Sequence, residues 1–134
     1  MAGETDLLKL LKRLDPQLNA GEFVFATMST DEADRVKRSD VLGEFKEEEG
    51  TTLILKRDVA NQYDLSYENV YAWITLKVHS SLEAVGLTAA FATELAEHSI
   101  SCNVMAGYYH DHIFVNVKDS ERAVQVLNCL SESH

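Results

Sequence analysis

A chain of 134 residues is long enough for one ordinary domain, or for two small units each with its own core. Its 46% hydrophobic and 25% charged residues are those of a globular protein, which excludes a disordered or fibrous chain. The formal charge of -10 excludes nucleic acid as an expected partner, because affinity there rests on Lys and Arg neutralising phosphates. Residues 1–68 carry 15 acids and 9 bases and residues 69–134 carry 7 and 3, so neither half is basic as a whole.

Leu7, Leu10, Leu11 and Leu14 fall at helical spacing behind a Thr5 or Asp6 cap, and Pro16 ends the helix they predict. Lys9, Lys12 and Arg13 interrupt that apolar face, so no signal peptide is expected there. No run approaches ~18 apolar residues, so no membrane span is expected and the predicted location is cytoplasmic. Glu22 to Met28, rich in aromatic and β-branched residues, reads as a strand. Asp31 to Asp40 is charged and reads as surface helix or loop, and Asp58 to Leu65 as one or two helical turns. Val41 to Lys46 and Thr51 to Lys56 are strands around an acidic turn that ends at Gly50.

The polar stretch Ser66 to Asn69 is the expected seam, dividing the chain into residues 1–68 and 69–134. In the strand Val70 to Val78 that follows, Ile74, Leu76 and Val78 point one way and Trp73, Thr75 and Lys77 the other. Leu87 to His98 then reads as a helix with Leu87, Phe91 and Leu95 in line, and its small alanines allow close approach to a sheet. Strands at Cys102 to Ala106 and His112 to Val117 flank the turn Gly107 to Asp111. Ser120 to Leu130 closes as a helix with Ala123, Leu127 and Leu130 inward. The order β-α-β-β-α is a split βαβ lacking only its last strand, which predicts an α+β sandwich of helices on an antiparallel sheet, with the N-terminal half as a second, similar unit.

The stretches ITLKVHSSLEAVGLT (residues 74–88) and LAEHSISCNV (residues 95–104) resemble the ACT domain pattern: a strand, a loop ending in Gly-Leu, a helix, and a second strand. More narrowly, HSSLEAVGLTAA (79–90), SCNVMAGYYHDHIF (101–114) and LGEFKEEEGTTLIL (42–55) resemble small bacterial ACT-like proteins related to the regulatory regions of aspartate kinases. The resemblance implies a ferredoxin-like βαββαβ fold in tandem and a non-enzymatic regulator that binds an amino acid or similar small metabolite between subdomains or protomers. It also implies self-association as a dimer or higher homo-oligomer and action in trans on a partner enzyme, with no cofactor. Carried onto this chain, the family's ligand contacts fall on Ser80, Ser81, Glu83, Val85, Gly86 and Leu87 of the loop and on Asn103, Val104 and Met105 of the following strand. Two positions depart from the pattern: Val85 stands where a proline is common, and Ser99 where a glycine usually ends the helix.

Each group of an amino-acid ligand needs a counterpart. A helix N-terminus suits the carboxylate, Gly86 permits close backbone approach, and Asn103 and Glu83 accept hydrogen bonds from the ammonium. Ser80-x-x-Glu83 also reads as a capping box that starts the helix at Leu82, and this would leave Gly86 inside a helix at a cost of about 1 kcal/mol. An interaction module with this fold and no ligand pocket is the alternative function. A metal at His110, Asp111 and His112 is not expected: in a strand the two histidines share a face while Asp111 points away, and no third ligand is evident. The hairpin reading has Asp111 capping the turn and the histidines hydrogen-bonded to backbone or lining an interface. No nucleophile elbow or phosphate loop is present. Cys102 and Cys129, without a CxxC pair, read as free thiols.

Overall fold

In the computed structural model of the chain, residues 6–79 and 86–134 are described. They form two compact units. One is Gly21–Tyr71, and the other joins the chain up to Ala20 with Ala72–His134.

The chain starts with α1 (Leu7–Lys12), capped by the Asp6 carboxylate, which accepts from the Leu8 amide at 3.0 Å and the Lys9 amide at 3.4 Å. Strand β1 (Pro16–Leu18) follows. The unit of residues 21–71 then runs β2 (Phe23–Met28), α2 (Thr30–Asp34), a short 3₁₀ turn (Arg38–Asp40), β3 (Gly43–Lys46), β4 (Thr51–Lys56) and α3 (Arg57–Gln62). Its strands lie in the order β3-β4-β2, antiparallel at both pairings. Val24, Ala26, Met28, Leu53 and Leu55 alternate onto one face of that sheet and pack with Ala33, Val36 and Ala60 into a core. Ser29 caps α2 by accepting from the Glu32 amide at 3.2 Å, while its hydroxyl donates to the Glu32 carboxylate at 3.2 Å. This Ser-x-x-Glu cap starts a helix that takes in residues 31–34 of the charged stretch Asp31 to Asp40, whose remainder is turn and 3₁₀.

In the other unit, β5 (Tyr71–Leu76) leads to α4 (Leu87–Glu97), β6 (Cys102–Ala106), β7 (Asp111–Asn116) and α5 (Ser120–Glu132). The order here is β1-β5-β7-β6, with β1 antiparallel to β5 through Pro16↔Leu76 and Leu18↔Ile74. The strand missing from the C-terminal β-α-β-β-α is therefore supplied by three residues near the N-terminus. Proline at the first position of that strand loses no ladder bond a central strand would need. Ile74, Leu76, Ile113 and Val115 meet Leu87, Phe91 and Leu95 of α4, Leu127 of α5, and Leu10 and Leu14 of α1 in one core. The expected alternation of β5 holds, with Ile74, Leu76 and Val78 buried there.

Candidate functional site

Helix α4 begins at Leu87, and Gly86 before it takes φ 93 and ψ −11, a left-handed conformation that places it outside the helix. The capping-box alternative, which put Gly86 in a helix interior, does not describe this residue. Leu87 is buried in the core, and a Cβ on Gly86 would stand 3.4 Å from Leu7 Cδ2. Side chains larger than glycine are thus opposed here by backbone conformation, while the approach to Leu7 is an ordinary van der Waals contact. Ser80, Ser81, Glu83 and Val85 lie outside the described residues.

Just before that loop, Leu10, Arg13, Asp15, Lys77, Val78 and His79 line a cleft of about 260 Å³. Arg13 and Lys77 are exposed cations, and the Asp15 carboxylate accepts from Gln17 Nε2 at 2.7 Å. The chain is pinned here because the Lys77 amide donates to the Asp15 carbonyl at 3.1 Å.

Asn103, Val104 and Met105 sit on β6, the last strand of its sheet. Val104 lies opposite Ile113 and packs against the core, whereas Asn103 opposite Phe114 and Met105 opposite His112 face the other side. Pleating therefore separates residues that are adjacent in sequence. It also puts Asn103 and Met105 on the sheet face away from α4, where Leu87 is buried.

That face carries a cluster absent from the sequence-derived set. The Trp73 indole donates to His112 Nδ1 at 3.1 Å, Thr75 Oγ1 lies 3.2 Å from the same nitrogen, and Asn19 Nδ2 donates to Thr75 Oγ1 at 3.0 Å. Trp73 also stacks on Phe114, with centroids 6.5 Å apart. An indole N–H can only donate, so His112 Nδ1 is an unprotonated acceptor. Burial lowers the His112 pKa, aided by His110 and Lys77 and opposed by Asp111; burial likewise raises the Asp111 carboxyl. The alternation of β5 signalled Trp73 and Thr75 as a shared face, but nothing in the sequence brought Asn19 to them.

The hairpin expectation changes in one detail. Asp111 belongs to β7 and not to the turn: it opens the strand opposite Ala106, and the turn closes through the Gly107 amide donating to the His110 carbonyl at 2.9 Å. His110 Nδ1 lies 3.4 Å from the Val78 carbonyl, and Tyr109 packs against His79 with centroids 5.9 Å apart. Among the described residues no group of three His, Cys, Asp or Glu side chains is placed to hold a metal. No described helix is long and apolar enough to cross a membrane. Cys102 and Cys129 are free, and burial pushes the Cys102 thiol up.

A solved protein of unknown function from Vibrio cholerae, described as a possible transport protein, is 47% identical, covering 93% of this chain and 95% of that one with a TM-score of 0.84. The regulatory subunit of aspartate kinase from Thermus thermophilus, ligand free, matches at 9% identity over 86% of this chain and 95% of that one, TM-score 0.62. E. coli aspartokinase III, solved with aspartate and ADP, matches at 14% identity over 86% of this chain and 32% of that one, TM-score 0.65. No curated protein matches the chain. Two models described as ACT domain match in tandem, one over residues 2–72 and one over residues 69–129, and the chain belongs to the ACT domain family.

Proposed function

We propose that this protein is a non-enzymatic regulator that binds an amino acid and acts in trans on a partner enzyme. We read it as tandem ACT units meeting near residues 68 and 69 of the chain. The observation that carries the ligand site is Gly86: a left-handed glycine at the start of an eleven-residue helix lets backbone N–H groups approach a carboxylate closely. The cations Arg13 and Lys77 in the neighbouring cleft favour the same charge.

Asn103 and Met105 face away from α4, so a ligand at the loop of one copy meets these residues on the open strand edge of another. A homo-oligomer is the assembly that completes such a site. The ligand's ammonium then falls to Asn103 and strand carbonyls, and its carboxylate to the loop and Gly86. Within the loop, Ser80, Ser81 and Glu83 supply further polar contacts, Leu87, whose side chain is buried, offers its backbone N–H at the helix start, and Val85 and Met105 surround the ligand's side chain.

Amide chemical-shift mapping with a mixture of the twenty amino acids tests this reading. Perturbations concentrated at Gly86, Leu87 and residues 103–105 are expected, and they vanish in Asn103→Ala, whose exposed side chain does not hold the fold. Shifts confined to other surfaces would contradict the site.

A further inference from the structure

Half by half the chain is acidic, yet residues 35–46 carry four of its twelve Lys and Arg. Arg35, Lys37, Arg38 and Lys46 are exposed along a groove of about 1000 Å³ between α2, the 3₁₀ turn and β3. Only Asp34 and Glu44 oppose them in the lining. Among the described residues none of the four cations makes an ion pair.

The groove borders an open strand edge, because β3 is the outermost strand of its sheet. The Glu47 amide donates to the Gly50 carbonyl at 2.9 Å and the Gly50 amide returns to Glu47 at 3.4 Å, which makes those two a hydrogen-bonded pair. Antiparallel alternation then turns the backbone N–H and C=O of Lys46 and Glu44 away from β4. A charged edge of this kind can serve simply to block aggregation. That explanation fails to account for Phe45, 67% exposed, and Leu42, 41% exposed, beside it.

We propose that the β3 edge and its basic groove dock an extended acidic segment of a partner protein, which adds as a strand and places its carboxylates against Arg35, Lys37 and Arg38. Backbone bonds to Glu44 and Lys46 supply the ladder, Phe45 and Leu42 supply apolar contact, and the cations supply selectivity. Glu47, Glu48 and Glu49 at the far end of β3 repel an acidic chain, so its carboxylates gather at the Arg38 end.

The test is an array of decapeptides with Asp or Glu at alternate positions and apolar residues between, set against matching Lys arrays, with the best peptide titrated by fluorescence anisotropy. Selective capture of acidic peptides is expected, with affinity falling about tenfold or more in Lys37→Glu/Arg38→Glu and falling steeply with salt. Backbone N-methylation of the peptide at alternate residues is expected to abolish binding, a readout that does not depend on how any variant folds. No acidic preference, or affinity unchanged by the charge reversal, would overturn the proposal. So would sedimentation showing that the edge is filled by a second copy, through a dimer that the same reversal dissolves.

Discussion

At Ser99 the backbone takes a φ of 59, the left-handed region that the family pattern gives to glycine. The reason lies in the cap it closes: the Ser99 amide donates to Ala96 and the Ile100 amide to Leu95, both at 2.9 Å, while Ile100 is buried. This is a Schellman end to α4, and it forms despite the cost of a Cβ there. Ser99→Gly is accordingly expected to raise stability by up to about 1 kcal/mol in denaturant unfolding. At His112 the sign of the pH effect follows from burial. Its folded pKa lies below the ordinary 6.5, so the unfolded chain binds more protons as the solution is acidified. The stability that depends on neutral His112 is present above about pH 6.5 and drains as pH falls through the folded value. Asp111 has the opposite sign, its raised carboxyl favouring the fold at lower pH and losing that contribution as pH rises through its folded value. His112→Gln, which keeps an acceptor for Trp73, is expected to flatten the fall in melting temperature between about pH 7 and about pH 5.5. An unaltered profile would show that His112 is not the titrating group.

Among elements, α4 was legible because three large residues recur at four-residue spacing, and all three, Leu87, Phe91 and Leu95, are buried. Phe91 is fully enclosed, so Phe91→Ala is expected to cost about 3–5 kcal/mol by chemical denaturation. The β3–β4 and β6–β7 hairpins were legible from alternation and turn residues. Strand β1 was not. Three residues are too few to show a period, its first is proline, and its partner β5 lies far along the chain. The candidate site was legible in part for a related reason. Gly86 stood out as a glycine beside a helix, whereas pleating set Asn103 and Met105 on a different face from Val104, and only the register of β6 on β7 fixes which face is which.

For the molecule as a whole, the N-terminal segment belongs structurally with the C-terminal unit, whose core takes in Leu10, Leu11 and Leu14 and whose β5 pairs with β1. A chain beginning at residue 69 would expose that apolar surface and the β5 edge together. It is expected to lose cooperative unfolding by circular dichroism, and a peptide of residues 1–20 added in trans is expected to restore it in part. As proposed above, this ACT protein is an amino-acid sensor. The most direct measurement is thermal unfolding of the intact protein against each of the twenty amino acids at millimolar concentration. A ligand bound only by the folded state at a hundredfold excess over its Kd adds about 2.7 kcal/mol, so the account predicts one clear stabiliser, or a few chemically related ones. A melting temperature unmoved by all twenty would contradict it.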